Sequence, residues 1–242
     1  MDSRRFTWFA LGFAMTTTLA IYDMDKTVTR RPTYGAFLWH AMWRLAPWRV
    51  VLAPISLLAT LFYAVRLIDR ARLKEWNYRL LIGPASPAKL ERVVESFAES
   101  QVANNVMAGA RARIAEDKAA GRRLVLATAS YRLYAAAIAR RLGFDDVIAT
   151  DTRIDAKGRT VARIDGVNCY GLGKLDMIEA WLQREGLERE AVHIRFYSDH
   201  ISDAPVHHWS DEAFATNAHA RLIRVARDEG WEVLDWRDRR RA

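Results

Sequence analysis

Asp23-Met24-Asp25-Lys26-Thr27 follows a short apolar run at 19–22. Side chains at i and i+2 of a strand point the same way, so both carboxylates can meet one ligand just past the strand's end. That end is where open α/β sheets place their sites. One acid can attack a phosphorus centre while the other handles the proton. Taken alone the pattern is ambiguous, because short acidic pairs also occur in solvated turns; its weight depends on partners further along the chain.

Three more polar elements occur downstream, in order. The apolar run 124–127 delivers Thr128-Ala129-Ser130. Gly171-Leu172-Gly173-Lys174 opens a helix that carries a lone cation, and 192–197 leads into Ser198-Asp199 and on to Asp203. This succession of acid pair, hydroxyl, lysine and acid pair resembles the haloacid dehalogenase superfamily, most closely its phosphoserine-phosphatase-like subfamily (IB). The resemblance extends from Leu19 to Trp236, including the tail that runs from Thr216-Asn217 to Trp236.

The resemblance implies a Rossmann-like doubly wound α/β core, with a parallel sheet and an inserted α-helical cap of the C1 type. It implies hydrolysis of a phosphate monoester with Asp23 as nucleophile, through an aspartyl-phosphate, and Asp25 as acid and then base. Mg²⁺ is the expected counter-charge, a hard cation that favours carboxylate, carbonyl and water oxygens. By resemblance its ligands are the Asp23 carboxylate, the Asp25 backbone carbonyl and Asp199, with Asp203 behind them. Lys174 is expected to restrain Asp23 and to face the transferring phosphoryl group. Thr128 and the Ala129 amide are expected to hold a phosphate oxygen, with Ser130 in support.

The elements that must position these residues are legible in outline. Residues 1–31 and 105–242 alternate β and α patterns and read as the core: helices at 106–120, 132–142 and 174–183, a strand at 147–150, and a hairpin turn at 154–159. Residues 32–104 have almost no strand signal and read as the helical cap. Ser86-Pro87 there has the form of an N-cap followed by proline at the first helical position.

Composition narrows the partners. The 37 basic and 29 acidic residues give a formal charge of +8, which favours anionic partners. No nucleic-acid-binding module is recognisable, and no obligate protein partner is inferred. The single cysteine, Cys169, excludes an internal disulfide and a Cys-rich zinc site, and reads as a packed residue. Arg4-Arg5 and the apolar stretch after them imitate a secretory leader, but no small-x-small cleavage pattern comes after it, and cutting near Ala20 would remove the strand that holds Asp23. We therefore read Met15 as the functional start and 1–14 as an extension.

The cap is unusual. Residues 50–65 carry no charge and are bounded by Arg49 and Arg66, with Trp39, Trp43, Trp48 and Trp76 nearby. A helix of that length reaches about 24 Å, short of the ~30 Å hydrocarbon core, and Pro54 shortens it further. Tryptophans and arginines beside an apolar helix suit an anionic membrane interface. The alternative is a hairpin buried within the cap. The substrate expected from this is a membrane-surface lipid phosphate of the phosphatidylglycerophosphate type, on the inner face of the cytoplasmic membrane. A soluble small-metabolite phosphatase is the runner-up, and a non-catalytic membrane-surface adaptor the third reading. Phosphoserine is disfavoured, because no Asp or Glu lies between Lys26 and Ile68 to meet a substrate ammonium group. Lys26 also departs from the family's pattern, standing where glycine is frequent.

Overall fold

The run 17–22 becomes the middle strand of the sheet because it carries no charge and its last four residues are buried on both faces. The computed structural model describes residues 17–237, so the readings of Met15 and of residues 1–14 lie outside it. The described strands are β1 (Thr17–Tyr22), β2 (Arg123–Tyr131), β3 (Asp146–Ile154), β4 (Thr160–Asp165), β5 (Val192–Ser198), β6 (Glu212–Thr216) and β7 (Glu232–Leu234). They form one sheet in the order β4-β3-β2-β1-β5-β6-β7. All neighbours pair in parallel except β3 and β4, which form an antiparallel hairpin at one edge. The expected parallel sheet is therefore mixed, because the turn at 154–159 folds the chain straight back.

Four α-helices follow β1 in succession, with a fifth before β2: α1 (Thr33–Leu45), α2 (Ala53–Ala64), α3 (Arg70–Leu81) and α4 (Pro87–Asn104). The remainder are α5 (Ala108–Ala119), α6 (Arg132–Leu142), α7 (Leu172–Arg184), α8 (Ala204–Trp209) and α9 (Ala220–Asp228). The two-residue period of β1 distributes its side chains between two cores. Leu19 and Ile21 pack with Ile178 and Trp181 of α7, whereas Ala20 and Tyr22 share a cluster with Ile114 of α5 and Ile138 of α6. Helices thus cover both faces. Gly143 ends α6 in the left-handed conformation at φ +80°, a C-cap that glycine adopts without steric cost.

The inserted helices dock on α6. The Phe37 ring stacks on Tyr134 with centroids 4.5 Å apart, and Phe97 meets Phe37 edge-on at 5.3 Å. Glu95 of α4 receives Arg140 and Arg141 at 2.6 and 2.5 Å. Pro87 occupies the first turn of α4 as expected, but Ser86 makes no side-chain capping bond. The apolar run at 50–65 is not one helix. A 3-10 segment, Pro47–Leu52, precedes α2, and only Ser56 and Ala59 of α2 are buried. Ser56 Oγ donates to Asn77 Oδ1 of α3 at 2.8 Å. The other faces of α2 are open, so the alternative of a buried hairpin is not what the chain adopts.

Two asparagines fix the loop after β1. Asn105 Oδ1 accepts from Arg31 N, and its Nδ2 donates to Arg31 O, each at 3.0 Å. Asn217, at φ +55°, donates from Nδ2 to Lys26 O at 3.0 Å and to Thr27 O at 3.2 Å, while its Oδ1 accepts from Trp236 N at 2.7 Å. Asparagine tolerates that backbone better than most residues. Asn217→Ala is expected to cost about 2–4 kcal/mol, since it strands buried polar groups and leaves a non-glycine residue strained. Urea unfolding of the purified variant checks this, and a loss below about 0.5 kcal/mol would refute the clamp.

Candidate active site

β1 is the switch point of the sheet, flanked by β2 on one side and β5 on the other, and its carboxyl end opens into a cleft of about 370 Å³. Every residue singled out by the sequence lines this cleft: Asp23, Asp25, Thr128, Ala129, Ser130, Lys174, Asp199 and Asp203. Lys174 is buried in the first turn of α7, and its Nζ lies 2.8 Å from Asp23 Oδ1 and 2.6 Å from Asp203 Oδ2. Ser198 Oγ also donates to Asp203 Oδ2, at 2.6 Å. Asp203 is therefore the lysine's second partner. Burial works against the lysine's charge, but Asp203 and Asp23 outweigh it and hold Lys174 well above the ordinary lysine range.

The acids divide by environment. Burial pushes Asp23 up, with Asp203 and Asp199 adding to the effect and Lys174 opposing it. Burial likewise raises Asp199 to about 6, with the nearby Lys26 pulling it down. For Asp203 burial would do the same, but Lys174 and Ser198 hold it below the usual carboxylate range. Asp25 is raised by burial against bonds from Thr33 and Ser130. Thr33 N and Oγ1 both donate to its Oδ1 at 2.8 Å, and Ser130 Oγ donates to its Oδ2 at 3.0 Å. A carboxyl with raised affinity for its proton, aimed by three donors, is suited to proton transfer.

Hydroxyls and a lysine complete the cleft. Thr27 Oγ1 accepts from Asp199 N at 3.0 Å and lies 3.4 Å from both Asp23 Oδ2 and Asp199 Oδ1. Two carboxylate oxygens therefore converge on a hydroxyl with one proton to offer. Such under-neutralised hard oxygens fit a Mg²⁺ ion. Among the described residues no three His, Cys, Asp or Glu side chains gather as a metal cage, so a cation here needs backbone or water oxygens as well.

Lys74 of α3 reaches down to the end of β2. Its Nζ donates to Ala129 O, and to Asn168 Oδ1 at 2.6 Å. Burial, with Arg70 adding to it, lowers Lys74 to about 7. Unfolded lysine titrates near 10.4. Between about pH 7 and about pH 10 the unfolded chain therefore holds a proton that the folded chain has released, and this group makes stability rise with pH. Lys74→Met is expected to abolish that rise. Unfolding free energies of both proteins at about pH 6.5 and about pH 9.5 test it, and a constant difference between them would refute it.

Comparisons with known proteins give the family and the fold. The family described as haloacid dehalogenase-like hydrolase matches residues 20–208. The chain belongs to that family. It is 32% identical over 157 residues to phosphoserine phosphatase SerB1 of Mycobacterium tuberculosis, across 65% of this chain and 50% of that protein. It thus spans about half the length of the curated relatives it first matches. A solved protein with unknown function from Bordetella pertussis Tohama I superimposes with a TM-score of 0.82 at 25% identity, covering 92% of this chain and all of that one. A substrate-bound phosphoserine phosphatase shares the fold, with a TM-score of 0.60 at 15% identity over 91% of this chain and 93% of that one.

Proposed function

We propose that the protein is a Mg²⁺-dependent phosphatase that hydrolyses a phosphate monoester through an aspartyl-phosphate on Asp23, and that its substrate is a lipid phosphate at a membrane surface. The observation that carries the chemistry is Lys174 Nζ held between Asp23 and Asp203, with Asp25 aimed by Thr33 and Ser130 in the same cleft. Lys174 occupies one oxygen of Asp23, which orients the carboxylate for attack. An Asp23 oxygen bonds to phosphorus as the ester P–O bond breaks, and Asp25 gives its proton to the leaving oxygen. Water then attacks the phosphorus, Asp25 takes its proton, and the bond to Asp23 breaks to free phosphate. Asp23, Asp199 and the Asp25 carbonyl would hold Mg²⁺, which when bound supplies charge neutralisation for an acid approaching an anionic phosphate. Thr128 and the Ala129 amide supply phosphate contacts at the end of β2.

The inserted helices, which we read as a cap, bear on the substrate. They contribute Tyr34, Tyr63, Arg70, Leu73 and Lys74 to the cleft and no carboxylate, so a substrate ammonium group finds no partner there. Outside the cleft, Ile55, Leu57, Leu58 and Leu61 of α2 are exposed, as are Trp48, Val65 and Leu67 at its flanks. An apolar face of this extent, bordered by Arg49 and Arg66, fits an anionic lipid surface. The stretch Pro47–Ala64 is by length and composition able to cross a membrane, yet α2 is tied along charged α3, which favours an interfacial position. The cleft's 370 Å³ also admits a soluble monoester, which keeps a small-metabolite phosphatase as the second reading.

Two measurements separate them. Cosedimentation with vesicles containing phosphatidylglycerol is expected to retain the protein, and Leu57→Glu/Leu61→Glu to release it. A phosphate-release screen with Mg²⁺ is expected to favour lipid monoesters. Absence of vesicle binding, together with faster turnover of soluble phosphates, would remove the lipid reading.

A further inference from the structure

A second cleft, of about 820 Å³, adjoins the first and shares Lys26, Pro32 and Asp199 with it. Its walls bring together Lys26, Arg30, Arg31, His219 and Arg237 against one carboxylate, Asp199. The backbone beneath Lys26, Arg30 and Arg31 is fixed. Asn105 brackets the Arg31 peptide groups, its own carbonyl accepts from Arg30 N at 2.7 Å, and Asn217 holds Lys26 O. Arg237 keeps an ion pair with Asp235 at 2.8 Å. A concave wall of one sign focuses potential and concentrates counter-ions. Arginine forks match phosphate oxygens in geometry as well as in charge. The hydrolytic chemistry uses none of Arg30, Arg31, His219 or Arg237.

We propose that this cleft binds a phosphate group other than the one being hydrolysed. In calling that other phosphate hydrolysed, the proposal rests on the phosphatase reading; binding to the second cleft is measured without it. The ligand chemistry is a phosphate anion, borne either by a soluble compound or by a lipid headgroup. Ala36 of α1 lines the cleft, and Trp39 and Trp43 come next on the same exposed side of that helix, their rings 5.7 Å apart. That run of indoles leading away from a basic cleft is what a headgroup site would present to lipid.

The test uses Asp23→Asn in EDTA, so that nothing turns over. Titration calorimetry with inorganic pyrophosphate forms one arm. The other is cosedimentation with phosphatidylcholine vesicles with and without phosphatidic acid. Adding Arg31→Glu/Arg237→Glu is expected to weaken binding at least about tenfold in one arm or both. Adding Lys89→Glu/Arg92→Glu, an equal charge change on α4, is expected to leave it unchanged. Loss in the pyrophosphate arm assigns soluble phosphate compounds, and loss confined to vesicles assigns a headgroup. No binding in either arm, or equal losses from both double variants, overturns the proposal. Hydrolysis of p-nitrophenyl phosphate, with Asp23 intact, reads the first cleft separately and is expected to survive Arg31→Glu/Arg237→Glu. If the unaltered protein fails to hydrolyse it, the phosphatase reading falls and the binding result stands.

Discussion

Asp23→Asn is expected to lower phosphate release by at least about 10⁴-fold while leaving the fold intact, because it removes the nucleophile and little else. The amide matches the carboxylate in size, and its oxygen can still accept from Lys174. The lysine also keeps Asp203 at 2.6 Å, so no buried cation is orphaned. Burial already disfavours the charge on Asp23, and a neutral isostere relieves that cost. Thermal unfolding should therefore change little while kcat collapses. Activity within tenfold of the unaltered protein would place the nucleophile elsewhere, and an adaptor that never used the site would keep its membrane binding either way.

Lys174→Met is expected to damage stability and activity together. Removing the cation leaves Asp23 and Asp203, both buried, without their shared partner. Breaking a buried pair from one side costs about 3–5 kcal/mol. Turnover should fall by about 10²–10³-fold or more, since a preorganised donor to the reacting group is lost. Adding Asp203→Asn should recover part of the stability and none of the turnover. Urea unfolding and phosphate release on the single and double variants measure both effects. A single variant as stable as the parent would mean that the lysine contact contributes nothing to the fold.

The sheet and the clustering of the acids were readable because the first acid pair and the hydroxyl element each end an uncharged run, and a buried parallel strand has that appearance; the run ahead of Asp199 is apolar but for His193 and Arg195. Lys174 was readable from the glycines ahead of it. Gly171, at φ +61°, makes the turn into α7. The antiparallel turn of β4 was visible in its hairpin sequence, yet its place at the edge of the same sheet was not, since strand order is a long-range property. No strand was expected at 212–216. Thr33, Lys74 and Asn168 act through contacts spanning up to 101 positions in the chain, and a lone hydroxyl, amide or lysine has no periodicity to betray it. Lys26 is the instructive departure. Its φ of +64° explains why glycine suits this position, and its charge beside Asp199 gives a lysine something to do there.

The inserted helices are moored at several points. Thr29 bridges to Val106 at their base, Ala85 bridges to Thr160 on the far edge strand, Glu75 accepts from Ile164 N at 3.0 Å, and Lys74 reaches Ala129 and Asn168. A roof bolted at both eaves does not swing. Reactants then come and go through a standing doorway, and access to Asp23 asks for no hinged motion of the helices above it.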